Sequence, residues 1–359
     1  MMKRSAPASV QFRSVIKRYG TVVAVDDVSF TIEPSTLVTL LGPSGCGKTT
    51  TLRLIAGLEI ASEGQILIGD KDVTHLSAAE RDVSMVFQSY ALFPHMNVIQ
   101  NVAYGPSVSG LAKAEAEALA REKLKLVGLE SYDKRLPSEL SGGQQQRVAV
   151  ARALVLEPQV LLFDEPLSNL DAKLRRRVRE DIRDLQRSLN LTVVYVTHDQ
   201  QEALAVSDRV IVMSNAQIAQ TGAPRDLYES PANLFVADFI GDANLVIGAL
   251  ESKVGDKATV RVGEVALNLP HRDQAPGDVK IAIRPEAITL EAVKPGRPVL
   301  PGTIAKAAYL GTHMEYTVTT EAGELFVVDR HVSRPVAVGA SVWLSLTDHG
   351  ITVVPGAAH

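Results

Sequence analysis

Residues 42–50 have the types and spacing of a phosphate-binding loop. Their sequence, Gly-Pro-Ser-Gly-Cys-Gly-Lys-Thr-Thr, fits the pattern G-x-x-x-x-G-K-[ST]. Glycines let backbone N–H groups turn toward an anion, and a following helix points its N-terminus at the same anion. Lys48 supplies a compact cation for the β- and γ-phosphates, and the Thr49 hydroxyl can bind Mg²⁺. The loop therefore predicts binding of a nucleoside triphosphate.

The segments on either side give the loop the context that this motif requires. The apolar residues 37–41 predict a buried parallel strand before it. Residues 51–56 predict a helix after it, which Gly57 ends.

Two adjacent acids follow a second apolar run. Residues 160–163 predict a buried strand, and Asp164 and Glu165 come directly after it. Parallel α/β sheets bind ligands at the carboxyl ends of their strands. An aspartate there can hold Mg²⁺, and a neighbouring glutamate can orient or deprotonate an attacking water. One acidic residue after a strand is typical of an ordinary turn, but two acidic residues directly before Pro166 are less so. The pair therefore favours a role at the ligand-binding end of the strand.

Three single residues could join this site. Gln88 ends a strand predicted at 83–88, and His198 follows a strand predicted at 192–196, where it could donate to a γ-phosphate. Tyr19 could stack on an adenine face. Taken alone, a loop glutamine, a structural histidine and a packed tyrosine are the simpler interpretations.

Residues 140–144, Leu-Ser-Gly-Gly-Gln, open a predicted helix. Ser141 suits an N-cap, and apolar residues follow at helical spacing from Val148. A turn of small residues at a helix N-terminus can bind an anion for the same physical reason as the phosphate loop. It is therefore a second candidate anion site. Helix capping explains Ser141 but not the two glycines and Gln144.

The order of elements indicates an α/β fold followed by an all-β part. Alternating residues at 12–19 and 22–32 predict an antiparallel layer, and a mainly helical section begins at residue 112 and ends near 156. After residue 242, short strands separated by Gly and Pro predict a small β-barrel or sandwich. Such a barrel could bind RNA or sugars, but a structural or regulatory module is the interpretation we favour.

Composition and charge limit the classes of function that the chain can have. The length of 359 residues suggests two or three domains, and a formal net charge of −4 gives no electrostatic case for nucleic-acid binding. The arginine-rich helix predicted after residue 171 is therefore interpreted as a solvated face. The single cysteine, Cys46, excludes an intrachain disulfide, and no apolar run reaches the length of a membrane span. We expect a soluble chain whose role at a membrane requires partners.

The motifs together resemble those of ATP-binding-cassette ATPases. They occur once each and in the family's order: Tyr19, residues 42–50, Gln88, 140–144, 160–165, 168–171 (Ser-Asn-Leu-Asp) and His198. Residues 87–95, with the C-terminal segments 283–286 and 309–312, are similar to the ATPases of importers for iron(III), polyamines and related solutes.

The resemblance implies two domains. Residues 1–240 would form the nucleotide-binding domain, a P-loop NTPase fold with a mixed sheet and a helical subdomain at about 90–156. Residues 241–359 would form a C-terminal β-domain of the oligonucleotide-binding type, known as TOBE, with a regulatory role.

The resemblance also implies roles for the motif residues. Tyr19 would stack on adenine, Glu165 would polarise the attacking water, and His198 would contact the γ-phosphate. The residues that would wrap the phosphates are Ser44, Gly45, Cys46, Gly47, Lys48, Thr49 and Thr50. The residues that would bind Mg²⁺ are Thr49, Gln88 and Asp164.

Four further residues would serve the ATP of the opposite subunit or its interface: Ser141, Gly143, Gln144 and Asp171. The implied reaction is ATP hydrolysis by a head-to-tail homodimer with two ATP molecules at its interface. It would drive two transmembrane permease subunits from the cytoplasmic face of the inner membrane, with an external solute-binding protein as an indirect partner. Iron(III) is the expected solute, with a polyamine (spermidine or putrescine) or another small solute as the alternative, and no nucleic-acid partner is expected.

Other classes fit the chain less well. Soluble cassette ATPases of translation usually carry two cassettes, whereas each motif occurs once here. Those of DNA repair insert a long coiled coil, and no heptad region lies between Thr50 and Leu140. A nucleotide-binding regulator without turnover is disfavoured by the complete set of Asp164, Glu165 and His198.

We predict that Lys48→Ala weakens ATP binding and abolishes hydrolysis, because the cation facing the β- and γ-phosphates is lost. Nucleotide-binding and phosphate-release assays on the purified variant measure both effects. Near-normal hydrolysis would remove the basis of the nucleotide interpretation.

Overall fold

The computed structural model describes residues 6–168, 170–347 and 349–355. The chain forms two compact units, which divide between Pro224 and Arg225. The domain boundary expected at residue 240 stays a prediction, since residues 225–240 pack with the second unit.

A six-stranded mixed sheet forms the centre of the first unit. Its strands are β3 (Leu37–Leu41), β6 (Val83–Val86), β7 (Val160–Asp164), β8 (Thr192–Thr197), β9 (Arg209–Ser214) and β10 (Gln217–Gly222). They lie in the order β10-β9-β3-β8-β7-β6, and all pairs are parallel except β9 with β10. Every residue of β3 and β8 is buried, as expected for parallel strands covered on both faces. The buried strands predicted on either side of the candidate site are confirmed.

An antiparallel sheet covers the phosphate-loop helix. Its strands are β1 (Val10–Tyr19), β2 (Val22–Ile32), β4 (Glu63–Ile68) and β5 (Lys71–Asp72), in the order β2-β1-β4-β5. Helix α1 (Lys48–Ala56) packs against it in one hydrophobic cluster, where Phe12 and Leu52 are both buried. The predicted antiparallel layer is confirmed, and this packing holds α1 rigidly.

The helices of the first unit include a separate helical layer. The helices after α1 are α2 (Val98–Val108), α3 (Lys113–Leu126), α4 (Gly142–Leu154), α5 (Ala172–Leu189) and α6 (Gln200–Val206). Helices α2, α3 and α4 share a hydrophobic cluster with Val102, Ala120 and Val148 at its centre. No helix of the described residues is both long and apolar enough to cross a membrane.

Two five-stranded antiparallel sheets make up most of the second unit, after helices α7 (Pro224–Glu229) and α8 (Leu234–Phe239). The strands are β11 (Asn244–Val254), β12 (Lys257–Val262), β13 (Val265–Pro270), β14 (Gly277–Ile283), β15 (Ile288–Glu291), β16 (Leu300–Tyr309), β17 (Met314–Thr320), β18 (Gly323–Asp329), β19 (Ser341–Leu346) and β20 (Ile351–Val354). The sheets have the orders β13-β12-β11-β14-β20 and β15-β19-β16-β17-β18, and they enclose one apolar core. The predicted all-β part is confirmed.

A buried arginine holds the helices of this unit onto its sheets. Arg284 is 2% exposed, and its guanidinium donates to the carbonyl oxygens of Tyr228 at 2.6 Å, Ala237 at 2.8 Å and Ile240. The ring of Tyr228 also stacks 4.2 Å from this guanidinium. Because Ala237 and Ile240 lie at the end of α8, the arginine satisfies carbonyls that the helix itself leaves unpaired.

We predict that Arg284→Met lowers the stability of the second unit by about 3 kcal/mol or more, because buried carbonyls lose a charged donor. Urea unfolding followed by fluorescence of Trp343, the sole tryptophan, reports this unit. The control is Arg261→Met, which removes an exposed pair with Glu251 and should cost about 1 kcal/mol or less. Equal unfolding midpoints for the two variants would contradict the anchoring role.

Candidate functional site

The phosphate loop joins β3 to α1 through a backbone that needs glycine. Gly45 and Gly47 have φ angles of 79° and 104°, a region that other residues rarely adopt. A Cβ atom on Gly47 would lie 2.4 Å from the carbonyl oxygen of Ala24. The loop therefore keeps its turn only with glycine here, and its exposed backbone includes Ser44 and Gly45.

Lys48 lies inside this loop. Its ammonium donates to the carbonyl oxygens of Gly42 and Pro43, both at 2.8 Å, and lies 3.8 Å from the sulfur of Cys46. Lys48 and Cys46 are buried, whereas Thr50 is partly exposed on the first turn of α1. The loop thus concentrates one positive charge beneath its outward-facing backbone.

Thr49 and Asp164 converge beside the loop. The Thr49 hydroxyl donates to Asp164 Oδ1 at 3.4 Å. Burial raises the pKa of Asp164, and the positive charge of Arg53 opposes that rise. No group of three or more His, Cys, Asp or Glu side chains able to hold a metal occurs in the described ranges. An ion bound here would therefore take ligands from a hydroxyl, one carboxylate and its substrate, which is the usual pattern for Mg²⁺.

Glu165 and His198 meet across two neighbouring strand ends. Asp164 of β7 pairs with Val196 of β8, so the next residues of both strands emerge at the same edge. Glu165 Oε2 lies 3.0 Å from His198 Nδ1. The φ angle of Glu165 is 43°, a left-handed conformation that is costly for a non-glycine residue, and its N–H donates to the Val196 oxygen at 3.0 Å. The backbone is held in a strained form that directs the carboxylate toward the histidine.

Gln88 is connected to Glu165 through Ser168. Gln88 Nε2 donates to Ser168 Oγ at 3.2 Å, and this hydroxyl donates to the Glu165 carbonyl at 3.1 Å. Sequence reasoning placed Ser168 in a motif without giving it a role. Its neighbour Asn169 lies outside the described residues.

Ser141 and Gln144 cap their own helix. Ser141 Oγ accepts from the Gln144 N–H at 3.4 Å, and Gln144 Oε1 accepts from the Ser141 N–H at 2.9 Å. This capping box accounts for Gln144 as well as Ser141, so the expectation that capping does not explain Gln144 was wrong.

The two predicted interface segments lie side by side. Asp171 caps α5 by accepting from the Leu174 N–H at 3.0 Å. A Cβ on Gly143 would lie 2.8 Å from the end of the Leu174 side chain, so α4 and α5 are close there. Within the described part of the chain, the hydrogen bonds of Ser141, Gln144 and Asp171 do not reach the phosphate loop.

Tyr19 is 44% exposed at the end of β1. The Lys17 ammonium lies 4.7 Å from the centre of its ring. Burial, followed by the nearby Glu59 carboxylate, raises the pKa of Tyr19, and Thr50 of α1 acts on the same hydroxyl. The ring is therefore beside the phosphate-loop helix, where it is available for stacking.

Sequence reasoning missed the groups that support the loop of His198. Asp199 caps α6 by accepting from the Glu202 N–H at 3.0 Å, and Arg175 of α5 approaches Asp199 at 3.5 Å. Glu202 is buried and accepts from Thr197 at 2.8 Å, and burial raises its pKa. Asp199 was visible as the neighbour of His198, but nothing local indicated Arg175 or Glu202.

Comparison with known proteins identifies the family. A family model described as ABC transporter matches residues 25–168, and one described as TOBE domain matches 281–354. The "Fe(3+) ions import ATP-binding protein FbpC" of Agrobacterium fabrum is 60% identical over 348 residues, covering 97% of this chain and 98% of that protein. The chain belongs to the ABC transporter family. It is therefore an ABC-type ATPase that binds nucleotide, which confirms the resemblance.

Other ABC proteins agree with this assignment. The Fe(3+) ions import ATP-binding protein FbpC 1 of Rhizobium meliloti is 60% identical, over 98% of this chain and 99% of that protein. The corresponding FbpC of Escherichia coli is 47% identical, over 97% of this chain and 98% of that protein. A dimeric post-hydrolysis structure of the ATP-binding cassette MJ0796 with ADP and Pi matches with TM-score 0.54 and 31% identity, over 60% of this chain and 99% of that one. The structure of cbiO1 from Clostridium perfringens, part of the ABC transporter complex cbiONQ, matches with TM-score 0.58 and 27% identity. The match covers 62% of this chain and 90% of that one. The predicted nucleotide-binding fold is confirmed.

We predict that Glu165→Gln keeps ATP affinity but lowers hydrolysis by about 100-fold or more, because it removes the base with little change of shape. Parallel nucleotide-binding and phosphate-release measurements separate the two effects. Glu180→Gln on the exposed side of α5 is the matched control and should retain the wild-type rate. Wild-type hydrolysis by Glu165→Gln would exclude this carboxylate as the base.

Proposed function

We propose that this ABC ATPase energises a solute importer as a head-to-tail homodimer with two ATP molecules at its interface. The observation that carries the proposal is the pairing of Glu165 with His198 at the sheet edge that also carries the phosphate loop. This arrangement suits hydrolysis rather than binding alone.

The phosphate loop would hold the nucleotide. Residues 44–50 would wrap the phosphates, and the Lys48 ammonium, which bonds here to two loop carbonyls, would bond to β- and γ-phosphate oxygens. Tyr19 would stack on the adenine ring. The rigid packing of α1 keeps the cation and the backbone donors in one geometry.

The residues beside the loop fit Mg²⁺. Thr49, Gln88 and Asp164 would hold the ion through a hydroxyl, a carboxamide oxygen and a carboxylate, which are all oxygen ligands. When bound, Mg²⁺ supplies charge neutralisation at the phosphates. Glu165 would orient a water and take its proton at Oε1, the carboxylate oxygen that does not contact His198. His198 would donate to the γ-phosphate.

The position of Ser141 supports the shared-site arrangement. Ser141, Gly143, Gln144 and Asp171 lie on helix ends that make no hydrogen bond to the loop of their own chain among the described residues. The 13-residue helix α4 directs a partial positive charge toward an anion, which would be the ATP of the partner subunit. The dimeric structure of MJ0796 supports this arrangement.

Iron(III) is the solute that we propose, because the relatives with 47–60% identity are named as Fe(3+) import proteins. A polyamine remains the alternative. The partners would be two transmembrane permease subunits at the cytoplasmic face of the membrane, with an external solute-binding protein acting through them. We retain residues 1–240 as the ATPase domain and 241–359 as a regulatory TOBE domain.

Complementation tests the solute. We expect this chain to restore uptake of radioactive iron(III) in an Agrobacterium fabrum strain that lacks its 60% identical relative. The Glu165→Gln variant is the control and should not restore it, whereas spermidine uptake should be the same with either protein. Spermidine uptake that depends on the wild-type chain, without iron uptake, would overturn the iron assignment. Restoration of neither would contradict the importer role in this system.

A further inference from the structure

The histidine loop, residues 197–199, is supported from two sides. On one side, Glu165 Oε2 lies 3.0 Å from His198 Nδ1. On the other side, Arg175 of α5 lies 3.5 Å from Asp199, the residue that follows the histidine. The first contact orients the imidazole ring, whereas the second holds the residue next to it.

The guanidinium of Arg175 also holds the segment before α5. Its Nη2 donates to the carbonyl oxygen of Leu170 at 3.2 Å, while its Nη1 donates to Asp199 Oδ2 at 3.5 Å. We call Ser168, Leu170 and Asp171 the interface loop, because Asp171 is predicted to lie at the contact with the partner subunit. One side chain therefore connects the interface loop to the histidine loop.

Two carboxylates lie against Arg175 behind the histidine loop. Glu202 is 4% exposed, and its Oε1 lies 3.7 Å from Arg175 Nε. Its Oε2 accepts from the hydroxyl groups of Tyr195 at 3.1 Å and Thr197 at 2.8 Å, so it is fixed to β8. Asp199 Oδ1 accepts from the Glu202 N–H at 3.0 Å, which leaves Oδ2 facing the arginine. In the described part of the chain, Arg175 is the only cation that pairs with either carboxylate, and a buried carboxylate needs such a partner.

The guanidinium is not fully satisfied in this position. Its Nε is buried and makes no hydrogen bond among the described residues. Its distances of 3.2 Å to Leu170, 3.5 Å to Asp199 and 3.7 Å to Glu202 exceed the ~2.8 Å that is typical of charge-assisted hydrogen bonds. A closer approach of the interface loop to the histidine loop would shorten these contacts and give Nε its acceptor. Because an unpartnered buried donor is costly, the free energy favours that approach.

We propose that Arg175 is a positioning residue, which makes the position of His198 depend on the interface loop. Because the guanidinium binds a carbonyl oxygen of the interface loop and a carboxylate of the histidine loop, a displacement of the first loop is transmitted to the second. The inference rests on the proposed function, in which the partner subunit contacts the interface loop and His198 donates to the γ-phosphate. Hydrolysis would then reach its full rate only when the interface loop is in place, although the arginine itself acts only through the histidine loop.

Arg175→Met tests this role in the full-length protein, because it removes the guanidinium and keeps an unbranched side chain. We expect kcat of ATP hydrolysis to fall about tenfold, because a misplaced His198 stabilises the transition state less. The KM for ATP should stay within about twofold of the wild-type value, because the phosphate loop and Tyr19 are unchanged. Arg175→Lys keeps the charge without the planar pair of donors, so it should recover part of the lost kcat. Phosphate release over a range of ATP concentrations measures both constants.

The matched control is Arg179→Met, one turn further along α5. Arg179 donates to the Gln201 carbonyl oxygen of α6 at 3.3 Å. We expect this variant to retain the wild-type kcat. It separates the loss of an arginine contact between α5 and α6 from the loss of the contact with the histidine loop.

Asp199→Asn tests the same contact from the other side. Asparagine is a good N-cap, so α6 keeps its cap while Arg175 loses a charged partner. We expect kcat to fall by about threefold or more. When Asp199→Asn is combined with Arg175→Met, kcat should lie within about twofold of the value for Arg175→Met alone, since both substitutions break one contact.

Several results would overturn the positioning role. A wild-type kcat in Arg175→Met, or a loss confined to KM, would exclude it, and an equal loss of kcat in Arg179→Met would assign the effect to helix packing. Independent losses that multiply in the double variant would exclude transmission through Asp199. If Arg175→Met does not fold, a wild-type kcat in both Arg175→Lys and Asp199→Asn would overturn the proposal.

His198→Ala keeps a failure of this inference distinct from a failure of the proposed function. Wild-type hydrolysis by His198→Ala would contradict the proposed role of the histidine itself. Loss of hydrolysis in His198→Ala, together with a wild-type kcat in Arg175→Met, would refute the role of the arginine alone.

Discussion

The parallel pairing of β3, β7 and β8 is the constraint on which the catalytic arrangement depends. Its register places Leu41 beside Thr197 and Asp164 beside Val196. The phosphate loop, the acidic pair and the histidine loop therefore leave the sheet at one edge. Each strand is held by backbone hydrogen bonds and buried on both faces, so this edge positions the side chains with little freedom.

Local strain adds to this positioning. The left-handed conformation of Glu165 is anchored by a hydrogen bond to β8 and places its carboxylate beside His198. Behind the histidine, the buried Glu202 binds Thr197, while Asp199 caps the next helix. The sheet supplies the rigid frame, and these contacts restrict the loops that emerge from it.

In the helical layer, the polar side chains of helix α4 have two different environments. Helix α4 uses a capping box at Ser141 and packs closely on α5 through Gly143, yet its next turn buries Gln146 with no hydrogen-bond partner among the described residues. The layer is therefore packed closely without satisfying every polar group that it buries. In the C-terminal unit, by contrast, the buried Arg284 has its partners, because its guanidinium donates to three carbonyl oxygens.

The sequence by itself determined the features that depend on neighbouring residues. The glycine spacing of the phosphate loop, the apolar runs of β3 and β7, and the cap at Ser141 are local patterns, and the structure contains each of them. The residue pattern predicted helices only from residue 112 and missed α2, because Gly105 and Pro106 interrupt its helical pattern. Only the family resemblance placed the start of a helical subdomain at about residue 90. Roles for single residues came from the family resemblance rather than from periodicity.

Only the tertiary structure decided which distant residues meet. Gln88 and Ser168 are 80 residues apart, and Glu165 and His198 are 33 apart, so their contacts depend on strand order and register. The burial of Gln146 likewise depends on helices that are separate in the chain and pack together around it. Such contacts depend on how the layers of the fold pack together. The local sequence does not determine whether a buried amide has a hydrogen-bond partner.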